Sequence, residues 1–152
     1  MAITALLSHG PPSAEAELAA FMSGRTGDGA VVAFVGLARD SSRAGPVTGL
    51  FLDHYAGFTE RSLEVIAADA HARFPVSDIR VIHRCGDVAP GEAIVFVAVA
   101  APHRRAAFEA ADYLMDRLKT EAAFWKREDG PDGSRWIEPT DQDRADRQRW
   151  SD

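Results

Sequence analysis

The chain has 152 residues, a net charge of −6, and is 46% hydrophobic and 26% charged. That mix suits one globular domain and excludes a disordered chain, a collagen-like repeat and a disulfide scaffold. The acidic balance argues against nucleic acid as a partner, and the longest apolar run, Ala93 to Pro102, is half a membrane span. The first twenty residues hold no basic residue and are interrupted by Glu15 and Glu17, unlike a secretory signal. A single cysteine, Cys85, fits a reducing compartment. A cytoplasmic protein without a membrane partner is expected.

The first predicted element is a helix from Ser13 to Met22, with Ser13 as N-cap and Glu15 at the positive end of the helix dipole. After the Gly24–Gly29 break, Ala30 to Leu37 is apolar on alternating faces and reads as a strand covered on both sides. A polar loop, Arg39 to Pro46, leads to a second strand from Val47 to Tyr55. A helix then starts near Thr59 and stops before Pro75, burying Leu63, Ile66, Ala67, Ala70 and Phe74. Asp78 to Cys85 and Glu92 to Ala101 read as strands joined in a hairpin or near-hairpin.

A third helix spans His103 to Thr120. Ala107, Ala111, Leu114 and Leu118 form its apolar stripe, and Arg105, Glu109, Asp112 and Asp116 its polar side. Phe124 to Glu128 and Arg135 to Glu138 form a short hairpin. The expected fold is α+β: a mixed, largely antiparallel sheet, three helices and a short C-terminal hairpin. Residues 1–138 read as one domain and 139–152 as a polar tail.

Standard catalytic signatures are absent. The glycines of 24–29 precede a strand, so they are no dinucleotide fingerprint, and there is no phosphate loop, H-E-x-x-H or G-x-S-x-G. His83 and Cys85 share a strand face but lack a matching second pair of ligands, so no metal and no cofactor is expected.

What stands out is the basic residues, fifteen Arg and only two Lys, Lys119 and Lys126. Lysine can deprotonate and act as an amine where arginine cannot. Cations also gather at element ends: Arg39 after the first predicted strand, His103-Arg104 opening the third helix, Lys119 closing it, and Lys126-Arg127 after Phe124-Trp125. In an acidic chain this pattern points to an anion site, helped by the positive N-terminus of the third helix.

Six stretches carry a resemblance: Val35-Gly36-Leu37-Ala38-Arg39-Asp40, Leu52-Asp53-His54-Tyr55, Val81-Ile82-His83-Arg84-Cys85-Gly86, Ile94-Val95-Phe96-Val97, Ala101-Pro102-His103-Arg104, and Leu118-Lys119 with Phe124-Trp125-Lys126-Arg127-Glu128. From Gly29 to Glu138 the chain resembles the catalytic (large) subunit of molybdopterin synthase. The resemblance implies an α/β hammerhead-type fold and a homodimer flanked by two small ubiquitin-like sulfur-carrier subunits, together a heterotetramer. It also implies a sulfurtransferase of molybdenum cofactor biosynthesis. Sulfur would pass from the carrier's C-terminal glycine thiocarboxylate to a cyclic pyranopterin monophosphate.

The resemblance makes Lys119 the principal catalytic lysine and Lys126 a second. It places Leu37, Ala38, Arg39, His103, Arg104, Lys119, Lys126, Arg127 and Glu128 against the substrate. Lys126 and Arg127 are the cations expected to lower the pKa of Lys119. Where the family commonly has proline, this chain has Ala123, which implies a looser loop between the lysines. The chain carries no evident sulfur donor of its own. The alternative reading is a non-catalytic α+β module that binds a phosphorylated metabolite or nucleotide.

Overall fold

The computed structural model describes residues 3–151. In chain order the elements are β1 (Ile3–Ser8), α1 (Ala14–Met22), β2 (Ala30–Leu37), β3 (Ser41–Ser42), β4 (Gly45–Pro46), β5 (Gly49–His54) and α2 (Phe58–Arg73). Then follow β6 (Asp78–Arg84), β7 (Gly86–Val88), β8 (Ala93–Ala101), α3 (Arg104–Glu121), β9 (Phe124–Gly130), β10 (Gly133–Ile137) and α4 (Asp141–Gln148). The expected α+β class is observed, with four helices in place of three.

One sheet has the order β1-β6-β8-β2, and another β10-β9-β5-β7. All their pairings are antiparallel except β1 with β6. The expected near-hairpin is the β6–β8 pairing, with β7 inserted between them and paired to β5. Gly86 makes that switch of sheet, at φ +86°, a conformation that side-chain-bearing residues rarely adopt.

β8 shows why the first sheet sits in the middle. Val95, Val97 and Val99 point to a core built with α2 and α3, while Phe96, Ala98 and Ala100 point to Phe21 of α1. Each fully buried side chain of this size stabilises by about 1.5–3 kcal/mol relative to exposure. α2 buries Leu63, Ile66, Ala67 and Ala70, and α3 buries Ala107, Ala111, Leu114 and Leu118, as their spacing predicts.

Three expectations are corrected. β2 is an edge strand, and Phe34, Val35 and Leu37 in its second half are exposed, so it is not covered on both sides. The apolar residues lie on both faces of β2, but among the described residues no strand pairs beyond it and its second half stays uncovered. β1, absent from the expectation, lines the opposite edge. The segment after Pro139 contains a helix, α4, opened by a reciprocal Thr140–Asp143 cap. Arg149 of the following turn reaches Asp116 at 2.6 Å, and the Trp150 indole N–H donates to the same carboxylate. Trp150 also packs edge-on against Phe74 and Tyr113.

Candidate active site

α3 organises the cationic residues, and it separates them. β8 runs out to Ala101 beside Ala30, and α3 returns toward the end where Leu37 pairs with Ala93. His103 is the N-cap of α3 and Lys119 lies in its last turn. Sixteen residues of helix rise about 24 Å. Within one chain, His103 and Arg104 therefore stand apart from Lys119, and the expected single cluster is two half-sites.

The first half-site is the start of α3. His103 makes no side-chain cap, and the first turn has no acidic residue, whereas α1, α2 and α4 each open with one or two. Arg104 and Arg105 thus sit on the helix's positive end without a compensating carboxylate. Gly29, Pro102, His103, Arg104 and Arg105 line an open cleft of about 550 Å³. Arg105, expected on the plain polar stripe, is part of that wall. An anion is the complement such a wall lacks.

The second half-site is built by β9 and the end of α3. Antiparallel pairing sets Phe124, Lys126 and Glu128 opposite His54, Leu52 and Leu50. Alternation along β9 puts these three on one face and Arg127 on the other. Arg127 is held there by Asp129 at 2.8 Å and lies over the Phe51 ring. It is not the cation beside the lysines. Glu128 accepts from Ser42 Oγ at 2.7 Å and from Arg135. Ala38 packs with Leu52 and Phe124, which anchors the Leu37-Ala38-Arg39 segment at this same end. Arg39 makes no ion pair among the described residues, unlike Arg25, Arg80, Arg84 and Arg117.

The proton affinity of Lys126 is lowered. Burial, and then the charge of Lys119, push it from 10.5 down to about 8, with Asp143 opposing in part. β9 turns Lys126 inward, where it is half-buried, while Lys119 at the end of α3 is exposed.

Two further groups influence the pair: His83, which the sequence offers only as a strand histidine, and Asp143, which the sequence does not single out. His83, buried on β6, stacks on Phe124 with ring centroids 4.1 Å apart. Burial lowers its pKa to about 4, against the contact of Nδ1 with the Arg84 carbonyl, and Lys126 and Lys119 lower it further. It stays neutral beside the amines. Asp143 comes from α4. Partial burial alone would raise its pKa, but the Thr140 N–H and the charges of both lysines hold it below the usual carboxylate value.

The loop between the lysines is pinned, not loose. The Ala123 N–H donates to Ser62 Oγ at 3.2 Å, and its carbonyl accepts from the buried Thr59 hydroxyl at 2.7 Å. Proline at 123 could make only the second bond. Cys85 is buried and its thiol is pushed up by burial and by Glu60, so it is no ready nucleophile.

Chemically, the second half-site offers one amine that changes charge near neutrality, a second amine whose charge lowers the first, and a nearby carboxylate. The first offers two arginines that make no ion pair among the described residues, positive charge suited to a phosphate. Among the described residues no helix is long and apolar enough to cross a membrane.

Comparison with known proteins shows the family of the chain. The family model described as "MoaE protein" matches residues 7–121. The molybdopterin synthase catalytic subunit of Caulobacter vibrioides is 56% identical over 133 residues, 88% of this chain and 87% of that protein. The Escherichia coli protein of the same name is 43% identical over 150 residues, 99% of this chain and 100% of that protein. The solved MoaE protein from Burkholderia ambifaria superposes with a TM-score of 0.83 at 41% identity, covering 100% of this chain and 99% of that one. The solved molybdopterin synthase of Staphylococcus aureus gives 0.78 at 28% identity, covering 86% and 94%. The chain belongs to the MoaE protein family.

Proposed function

We propose that this chain is a molybdopterin synthase catalytic subunit, a cytoplasmic sulfurtransferase of molybdenum cofactor biosynthesis. Its substrate is a cyclic pyranopterin monophosphate, and its sulfur comes from the C-terminal glycine thiocarboxylate of a small ubiquitin-like carrier. The observation that carries this is the pair of lysines where the end of α3 meets β9: Lys126 is half-buried on the inward strand face, and burial and the charge of Lys119 bring it to about 8. The relatives' name, a catalytic subunit, supports a second subunit as sulfur donor.

Each transfer forms one C–S bond on the pterin and returns the carrier terminus as a carboxylate, with water supplying the oxygen. Opening the cyclic phosphate and displacing oxygen both build up negative charge. Fixed cations in a water-poor site stabilise that charge best when already in place. Lys119 meets the incoming thiocarboxylate or the developing anion. Lys126, with a pKa near neutrality, gives or takes the proton. Leu37, Ala38, Arg39 and Glu128 border this end. His103 and Arg104 hold the phosphate through charge-assisted hydrogen bonds.

The two half-sites lie at opposite ends of α3, so a complete site needs a second copy that brings its His103 end to this chain's lysines. The exposed Phe34, Leu37, Trp125 and Trp136 supply apolar surface for assembly. A homodimer core with two carriers, a heterotetramer, follows. The test is single-turnover sulfur transfer by the purified chain with a thiocarboxylated carrier. Product must form with the carrier and not without it. Normal precursor binding with no transfer would favour the non-catalytic module instead.

A further inference from the structure

On the face of β5 that also meets Phe124 and Lys126, the fold brings together three metal-binding side chains from three strand ends. The Cys85 N–H donates to the Ser8 carbonyl at 2.8 Å, which extends the parallel β1–β6 ladder by one residue and sets His9 beside Cys85. Gly86 then pairs with Leu52, and two residues further along the same face of β5 comes His54. The Ser8 hydroxyl donates to the Gly10 carbonyl at 2.7 Å and fixes the turn that carries His9. The Cys85 sulfur lies 3.3 Å from His9 Nδ1, and the His9 and His54 rings meet edge to face at 5.6 Å.

We propose that His9, His54 and Cys85 form a binding site for one borderline-soft transition-metal ion, best suited to Zn²⁺. One donor atom from each residue lies within 4.8 Å of the other two, the only such trio among the described residues. Zn–S near 2.3 Å and Zn–N near 2.0–2.1 Å at tetrahedral angles require donor separations of about 3.4–3.6 Å. The sulfur–Nδ1 pair already meets this, and the remaining corner closes with a shift of about 1 Å. Thiolate and imidazole donors without oxygen ligands select Zn²⁺ over Mg²⁺ or Ca²⁺. Cys85 is buried, while His9 is exposed and leaves the fourth corner to water. The ion would tie β1 and β6 of one sheet to β5 of the other.

The test uses the full chain, stripped with a chelator and titrated with Co²⁺ and then Zn²⁺. The expected result is one Co²⁺ per chain, with tetrahedral visible bands and a thiolate-to-cobalt charge-transfer band, both displaced by Zn²⁺. Cys85→Ser should remove the charge-transfer band. His9→Ala and His54→Ala should each weaken Zn²⁺ binding at least about tenfold. Zn²⁺ should also raise the melting temperature of the unsubstituted chain, as any ligand of the folded state does. Absence of the charge-transfer band overturns the site. So does unchanged affinity in both histidine variants, which would mark adventitious binding. Because His9 is exposed, His9→Ala decides the matter even if Cys85→Ser does not fold.

Discussion

The two ends of α3 achieve cationic character by opposite means. At its start, Arg104 and Arg105 are exposed and rest on a helix end stripped of acidic residues. Their charge is permanent, and it is focused by the backbone. At its end, charge is conditional: Lys126 is half-buried, feels the charge of Lys119 and is balanced in part by Asp143 from α4. A permanent cation suits holding a phosphate; a conditional one suits moving a proton. The division explains why a chain so rich in arginine keeps lysine at only these two positions.

The contrast breaks most visibly at Lys119. Lys119→Ala and Lys119→Arg should each lower single-turnover sulfur transfer by about 10²- to 10⁴-fold at saturating carrier, the range of a lost acid–base or positioned charge. Near-normal transfer by the arginine variant would reduce Lys119 to an anion holder. At the other end, Arg104→Ala should weaken precursor binding roughly ten- to a hundredfold, about 1.5–3 kcal/mol, and leave the rate at saturating precursor nearly unchanged. Arg105→Ala should share part of that loss because Arg105 lines the same cleft, so exposed Arg61 on α2 is the neutral control.

The third prediction reads the conditional charge itself. An NMR titration of Lys126 should show an inflection near 8, moved upward in Lys119→Met and downward in Asp143→Asn. Between about 8 and 10.5 the unfolded chain binds the Lys126 proton and the folded chain does not. Stability from this group therefore rises with pH across that window. His83 gives the acidic counterpart. Its folded value of about 4 lies below the ordinary 6.5, so stability is lost as pH falls through that range. Denaturant melts of His83→Gln should show a flatter acid limb.

The smallest effect belongs to α4. Arg149→Ala removes exposed ion pairs with Asp112 and Asp116 and should change stability by no more than about 1 kcal/mol in chemical denaturation. A larger loss would mean that α4 is integral to the lysine end.

Much of this was legible beforehand. α2 and α3 announced themselves through apolar spacing, and Phe124 to Glu128 and Arg135 to Glu138 through the turn between them. The two lysines were legible by scarcity. β1 was not, because Ile3 to Leu7 is a short, mostly apolar run whose partner, Ile79 to His83, is parallel and distant in sequence. α4 has no buried residue and hence no apolar period; its one signal was the Thr140–Asp143 cap. The splitting of the cationic site is contained in the helix rise alone, since sixteen helical residues separate Lys119 from His103 by about 24 Å. The trio of His9, His54 and Cys85 was not, since only the switch between sheets at Gly86 brings three strands to one place.

The anchoring of Ala123 carries a consequence for motion on slow timescales. Its amide and carbonyl both end on hydroxyls of α2, Ser62 and Thr59. The stretch joining Lys119 to Lys126 can open only if the first turns of α2 release it or open with it. The Ala123 amide proton should therefore exchange with solvent together with those of the start of α2. A proline there would have no such proton, so this chain offers a built-in reporter of how often its two amines drift apart.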